Sequence, residues 1–307
     1  MSLDSHFLKI SCSIFIIIPA HNRCATTLQC LNTLQRNGDL ERYRVVVVDD
    51  GSTDGTATAI RSSYPSVTVF EEDGNLWWTG AIAKGMVYAY QQGADYFIWL
   101  NDDAFPYPNA LSQLVQHCAL APKRIAAGQC YATTQLTEPT YGGQIKHLWS
   151  VELIATGSGE ETSCDCMSGN VVCLPRSVVD DLGYPPADFL PHCHADIVYT
   201  LAAKRAGYDL QVLGDAIALC AFNPIEAGWA SSPIPMSARW RQIKSLKSGI
   251  HPPTYWVYCH RVFGWWIGLL LFVGVYLKLL GFTIARWFIP VALLKQAKAY
   301  KDNLLQP

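Results

Sequence analysis

The sequence predicts an α/β protein: a Rossmann-like, mostly parallel central sheet flanked by helices, followed by a C-terminal hydrophobic helical segment. Three observations predict it. Runs of β-branched residues alternate with segments of helical periodicity over the first hundred positions, the pattern of a parallel sheet covered by helices. Acidic residues gather where those runs end, and open α/β sheets bind ligands outside the carboxyl ends of their strands. Charge is unevenly distributed: residues 1–235 carry 13 Lys/Arg against 24 Asp/Glu, whereas residues 236–307 carry 10 against Asp302 alone.

Ser13–Ile18 is a continuous apolar run ended by Pro19, as expected of a strand buried on both faces. Thr26–Arg36 then sets Leu28, Leu31 and Leu34 at helical spacing, with Asn37-Gly38 as a stop. Tyr43–Val48 is a second buried strand running into Asp49-Asp50-Gly51-Ser52. A short helix at Thr56–Ser63, a strand at Val67–Glu71 and a helix at Gly80–Gln92 follow. Tyr96–Leu100 is the fourth strand and ends in Asn101-Asp102-Asp103. Beyond Pro106 the pattern predicts a helix at Asn109–Cys118 and strands at Ile125–Tyr131 and Ile145–Ile154. A polar loop at Ala155–Asp165, a strand at Val171–Leu174 and a helix at Arg176–Leu182 come next. Ala195–Ala206 reads as a helix closed by Gly207, and Tyr208–Leu213 and Ala216–Cys220 as the last strands.

Half of the 307 residues are hydrophobic and 16% are charged, which excludes a disordered chain. A net charge of −2 excludes a generic nucleic-acid binder, which needs a strong basic excess. The eleven cysteines are odd in number and several lie in apolar runs, so free thiols in a reducing, cytoplasmic setting are expected. The run Ile14–Ala20 lacks a basic leader, and no signal peptide is expected from it.

Two regions are expected, a body over 1–235 and a basic, Trp-rich membrane-associating region over 236–307. Val262–Ala285 holds one charge, Lys278, and a span needs ~20 apolar residues. Trp265, Trp266 and Trp287 resemble interfacial anchors. Both flanks are basic, with Arg239, Arg241, Lys244, Lys247 and Arg261 before and Arg286, Lys295, Lys298 and Lys301 after. Two basic flanks on one side favour an in-plane or re-entrant anchor at the cytoplasmic face of an anionic membrane over a single crossing. A buried core helix pair is the competing reading.

Paired carboxylates leaving a strand suit a hard divalent cation, which takes oxygen ligands and shares them with substrate phosphates. No GxxxxGK[ST] loop occurs and no GxGxxG follows the first strand. Successive strand residues face opposite ways, so Asp102 and Asp103 need not share one task. Trp77-Trp78 supply either a stacking surface or core. Cys164, Cys166 and Cys193 match no usual zinc spacing.

The order PAHNR, VVVVDDGSTDGT, NLWWTGAIAKGM, WLNDD, SGNVVCLPR and HADIVYTLAAKRAGY resembles the family 2 glycosyltransferases with the GT-A fold, and within them the rhamnosyltransferase-like branch, over roughly residues 12–220. The resemblance implies transfer of a sugar, with inversion, from a nucleotide-diphosphate donor to a lipid-linked or saccharide acceptor, with Mg²⁺ or Mn²⁺. By the same resemblance Pro19, Ala20, His21 and Asp50 would hold base and ribose, and Gly80 would pass close to the nucleotide. Asp102 would meet the ribose, Asp103 the metal, and Asp196 would be the catalytic base. Gly169, Asn170 and His194 are acceptor-side candidates, although solvated loop histidines are the simpler reading of His192 and His194. Many relatives carry a metal-binding His after the last strand; Ala218-Leu219-Cys220-Ala221 has none. A sugar nucleotidyltransferase and a non-catalytic nucleotide-sugar-binding partner are the competing functions.

Overall fold

Ile16, Ile17, Ile18 and Val46, Val47, Val48 have no solvent-exposed surface, because helices cover both faces of the strands that carry them. The computed structural model describes residues 12–222, 235–290, 292–293 and 296. Its first half is β1 (Ile14–Ala20), α1 (Cys24–Arg36), α2 (Asp39–Arg42), β2 (Arg44–Asp49), α3 (Thr56–Ser63), β3 (Thr68–Glu71), α4 (Trp77–Gln91) and β4 (Tyr96–Leu100). Then come β5 (Phe105–Pro106), α5 (Ala110–Ala119), β6 (Arg124–Tyr131), β7 (Pro139–Tyr141), β8 (Gly143–Lys146) and β9 (Val151–Leu153). β10 (Glu161–Ser163), β11 (Cys166–Met167), β12 (Val171–Pro175), α6 (Ser177–Leu182), α7 (Ala195–Arg205) and β13 (Asp209–Leu219) complete the body. α8 (Met236–Ile243) and α9 (Pro252–Phe288) follow it.

The main sheet runs β10-β13-β6-β12-β4-β1-β2-β3. Strands β4, β1, β2 and β3 are mutually parallel, and β6 and β13 are parallel to each other. β12 runs antiparallel between β4 and β6. Side chains alternate between two cores: Ile16, Ile18, Val45 and Val47 pack with Leu31 and Leu34 of α1, while Phe15, Ile17, Val46 and Val48 pack with Ile82 and Met86 of α4. The chain places β2 and β3 on one side of β1 and β4 on the other. That reversal opens a crevice at the carboxyl ends of β1 and β4, where such sheets bind ligands.

Several expected elements differ. Ile145–Ile154 is not one strand: β8 and β9 pair as a hairpin, closed where His147 N donates to the Ser150 carbonyl. The loop Ala155–Asp165 contains β10, an edge strand on β13. The two last strands are the single strand β13, whose register shifts between Leu213 and Ile217. α4 begins at Trp77 rather than Gly80, because Asp50 holds its first turn as described below.

α9 is not straight. Gly264 has φ 81° and ψ −179°, so the chain turns back and the arm 265–288 lies along the arm 252–263. A Cβ at Gly268 would stand 2.5 Å from the Cys259 carbonyl oxygen, and Phe272 meets both Tyr255 and Trp256. Arg205 of α7 donates to the Arg261 and Val262 carbonyls at 2.7 and 3.2 Å, satisfying acceptors that the break leaves without helical partners. Val262 is buried in a cluster with Ala195, Ile197, Val198 and Leu201 of α7, so the first arm packs on the body. The second arm packs one side inward through Gly268, Phe272, Tyr276 and Leu279, and Trp240 of α8 donates to Thr283 at 3.1 Å. Its other side exposes Trp266, Leu270, Val273, Leu277, Leu280, Ile284 and Trp287, in steps of four and three. Of the expected basic flank, Lys295, Lys298 and Lys301 lie outside the described residues, as does Asp302.

Candidate functional site

The crevice holds a cavity of about 490 Å³. Pro19 and Ala20 from the end of β1, then His21 and Arg23, line one part of it; Asp50, Gly74, Trp77 and Trp78 line another. Asn101, Asp102 and Asp103 after β4 also line it, and His192 and Lys247 join them from later in the chain. Register brings these ends together: Ala20 pairs with Asp49, and Asp50 N donates to the Ala20 carbonyl at 2.8 Å.

Asp50 is buried, and its carboxylate accepts from Leu76 N and Trp77 N at 3.0 and 2.6 Å. Those N–H groups begin α4 and have no partner within the helix, so Asp50 anchors the helix whose first turn lines the cavity. Trp77 takes φ 56° there, a conformation costly for an aromatic residue, and places its ring against His192 at 5.6 Å. Trp78 is both core and wall: its ring meets Trp99 edge-on and its Nε1 donates to Asn101 Oδ1 at 2.8 Å. His21 Nδ1 donates to the Asp50 carbonyl.

Arg23 spans the two acids after β4, reaching Asp102 Oδ1 at 3.1 Å and Asp103 Oδ2 at 3.0 Å. Burial pushes Asp102 up to about 6, against the pull of Arg23; the charge of Asp103 adds to the rise. Thr27 Oγ1 also donates to Asp102, at 3.2 Å. Behind Asp103, the Cys220 thiol donates to its Oδ1 at 3.7 Å. The guanidinium is a tethered cation held by two converging carboxylates, which is the donor chemistry a hard divalent cation requires. Asp102 and Asp103 therefore fit such an ion, with Cys220 beside them at the end of the last strand.

The structure brings Pro19, Ala20, His21, Asp50, Asp102 and Asp103 to one cavity. Gly80 is buried within α4, its missing Cβ facing Leu76 at 3.1 Å; Ala81 lines the cavity in its place. Asp196 is not a lining residue. It stands behind Trp78, across Gly169, where a Cβ would lie 2.5 Å from the Trp78 ring and 3.2 Å from Asp196 Cβ. Its carboxylate accepts from Gly169 N and Ile197 N, both at 2.8 Å. Burial raises its pKa above the ordinary carboxylate value, opposed by those two bonds. Asn170 is buried, with Nδ2 donating to Cys220 Sγ at 3.4 Å.

The two histidines are not solvated loop residues. His194 stacks on Tyr258 at 4.1 Å and its Nε2 donates to the Gly249 carbonyl at 2.6 Å, which joins the start of α7 to the C-terminal region. His192 lines the cavity, and burial lowers its pKa. Cys164 and Cys166 are core, all eleven cysteines are free thiols, and among the described residues no group of three or more His, Cys, Asp or Glu side chains is placed to hold a metal ion. Sequence reasoning assigned no role in the site to Arg23 or Lys247, and took Lys247 only as part of the basic flank. Arg23 was visible inside PAHNR, whereas nothing local to Lys247 marks it, because only the fold carries the α8–α9 link back to the cavity.

The family model for glycosyl transferase family 2 matches residues 15–170. Validoxylamine A glucosyltransferase of Streptomyces hygroscopicus subsp. jinggangensis is 35% identical over 121 residues, covering 38% of this chain and 28% of that protein. Galactofuranosyltransferase GlfT1 of Mycobacterium tuberculosis is 32% identical over 92 residues, 30% of each chain. The matched stretch thus spans less than a third of these relatives. Among solved structures, mannosyltransferase PcManGT from Pyrobaculum calidifontis, in complex with GDP-Man and Mn²⁺, aligns over 94% of this chain and 79% of its own, with 19% identity and a TM-score of 0.50. GalNAc-T7 with UDP, GalNAc and Mn²⁺ aligns over 83% of this chain and 49% of its own, with 15% identity and a TM-score of 0.60. At these identities the likeness establishes the GT-A fold.

Proposed function

Because the chain belongs to glycosyl transferase family 2, we propose that it transfers a sugar from a nucleotide-diphosphate donor to an acceptor hydroxyl with inversion at the anomeric carbon. One observation carries this reading: Asp50 after β2 and Asp102 and Asp103 after β4, from two separate strand ends, line a single cavity at the point where strand order reverses. The matched relatives are sugar transferases by name, and the two solved neighbours hold a nucleotide or nucleotide sugar with Mn²⁺.

The residues divide the work. Pro19, Ala20, His21 and the Asp50 turn give the base and ribose a wall with fixed backbone, while Trp77 and Trp78 give it aromatic surface. Asp102 and Asp103 would hold Mg²⁺ or Mn²⁺, which when bound offsets the charge of the diphosphate. Asp196 takes the proton from the acceptor hydroxyl as its oxygen bonds to the anomeric carbon. The bond from that carbon to the diphosphate breaks, and its electron pair leaves with the diphosphate. Gly169 N and Ile197 N fix the carboxylate for this step, and Gly169 leaves room for Trp78 beside it. Gly169, Asn170 and His194 are the residues near Asp196 that would meet the acceptor.

Purified protein with Mn²⁺ and a panel of UDP-, GDP- and dTDP-sugars tests the reading. One donor is expected to raise the melting temperature and to be slowly hydrolysed. A panel that changes neither would overturn it.

The second arm of α9, about 36 Å long at 1.5 Å per residue, supports the membrane role. Its outer apolar stripe is as long as a span but lies flat against the protein, the geometry of an in-plane anchor, with basic residues nearby for anionic lipid. A lipid-linked acceptor would then reach Asp196 from the bilayer surface. Wild-type protein should co-sediment with anionic phospholipid vesicles. A Trp266→Ser, Leu270→Ser, Leu277→Ser variant should lose roughly a hundredfold or more in partitioning with its melting temperature unchanged. Undiminished vesicle binding, or a stripe that proves to bury itself in a dimer by sedimentation velocity, would exclude the anchor.

A further inference from the structure

We propose that Lys247 and His192 form the subsite for the diphosphate of the nucleotide ligand, so that the link between α8 and α9 completes the cavity. The inference rests on the nucleotide reading above and adds to it two residues outside the stretch that the family model matches.

The cavity poses a charge problem for such a ligand. Asp50, Asp102 and Asp103 line its strand side, and a diphosphate brings further negative charge. Arg23 is paired with Asp102 and Asp103, the carboxylates that would also hold the metal. Besides His21, which bonds to the Asp50 carbonyl, the remaining basic lining residues are His192 and Lys247. No carboxylate among the described residues pairs with Lys247. His192 Nδ1 is shielded from solvent and has no hydrogen-bond partner, an arrangement that costs free energy until a partner arrives. Both groups line the one cavity, and the charge of Lys247 adds to burial in lowering the pKa of His192. A phosphate oxygen between them would answer the orphaned imidazole and the unpaired ammonium together, by charge-assisted hydrogen bonds.

Placement of Lys247 is not left to a free loop. Cys193 Sγ donates to the Lys247 carbonyl at 3.5 Å, and His194 Nε2 to the Gly249 carbonyl at 2.6 Å. Residues 192–194 thus hold both sides of the link while His192 itself faces the cavity. Trp77, in edge contact with His192, connects this subsite to the helix that Asp50 anchors.

Binding of nucleoside mono- and diphosphates to the full chain, by calorimetry at one fixed Mn²⁺ concentration, separates this subsite from the rest of the pocket. Lys247→Gln should weaken the diphosphate about tenfold or more and the monophosphate of the same base less than about twofold. His192→Phe should do the same to a smaller extent, and Lys247→Arg should restore most of the affinity. Equal losses for both nucleotides, or none for either, would overturn the subsite while leaving the nucleotide reading intact. A wild-type chain that binds no nucleotide at all would overturn both. Should Lys247→Gln melt early, His192→Phe decides, since it leaves the backbone of the link untouched.

Discussion

Asp196→Asn is expected to cut turnover by about 10²–10⁴-fold while leaving nucleotide affinity within about twofold of wild type. The asymmetry follows from position: Asp196 is not among the cavity lining and lies beyond Trp78 and Gly169, so on the proposed mechanism it would meet the acceptor rather than the nucleotide. Asn keeps the shape but has one acceptor oxygen for two donors, Gly169 N and Ile197 N, and should cost about 1 kcal/mol of stability through the bond it loses. Initial rates and donor binding on the same preparation check the result; equal loss of both would remove Asp196 from the chemistry. The pH profile is a second check. Burial raises the Asp196 pKa, and a base acts only when ionised, so the rate should climb through a value above the ordinary carboxylate range and then level. For stability the sign is reversed. A carboxyl raised in the folded state contributes most below its unfolded pKa, and that contribution is lost as pH rises through the folded one. Asp196→Asn should flatten this component of the stability profile.

Gly51→Ala is expected to destabilise the fold by roughly 3 kcal/mol or more, a loss of the size reserved for core defects. Gly51 has φ +71°, and a Cβ there would lie 2.6 Å from Gly74 N and 2.8 Å from Gly74 Cα. Backbone cannot yield as a flexible side chain can, so the turn after β2 would separate from the segment that leads into α4, and Asp50 would lose its hold on Leu76 and Trp77. Gly55→Ala is the control. It has φ +83° but nothing within 4 Å of a Cβ, so it carries strain alone and should cost about 1–2 kcal/mol. Chemical denaturation of the two variants side by side measures the difference. Similar losses would mean that the Gly51–Gly74 contact is soft and that Asp50 is placed by something else.

The parallel half of the sheet was legible because its strands are buried on both faces, which leaves continuous runs such as IFIII and VVVV; the turns and acids that follow them mark the rim. β12 gave no such signal of direction. An apolar five-residue run reads the same whether it lies parallel or antiparallel, and only its pairing with β4 and β6 decides. The first turn of α4 was missed for a related reason. Trp77 at positive φ is a poor helix start by propensity, and a carboxylate 27 positions earlier compensates for it. At the site, the acids could be read because Asp after a strand is a local pattern. Arg23 lay within a quoted motif, but its pairing with Asp102 and Asp103 is a tertiary fact. Lys247 and His192 meet across more than fifty residues, a proximity that no local pattern announces. In the C-terminal region, hydropathy gave the apolar length but not the turn at Gly264, since one glycine among several carries no mark of a reversal.

The reversal at Gly264 leaves the second arm of α9 with two greasy edges that do unlike things. Leu279 and Phe272 on the inner edge hold the arm to its neighbours, whereas Leu277 and Trp266 on the outer edge are largely exposed. Injury to the first edge would therefore surface as misfolding, and injury to the second, on the proposed anchor role, as an intact protein that no longer binds vesicles. Random mutagenesis of these two dozen residues should sort into those two phenotypes with the period of a helix.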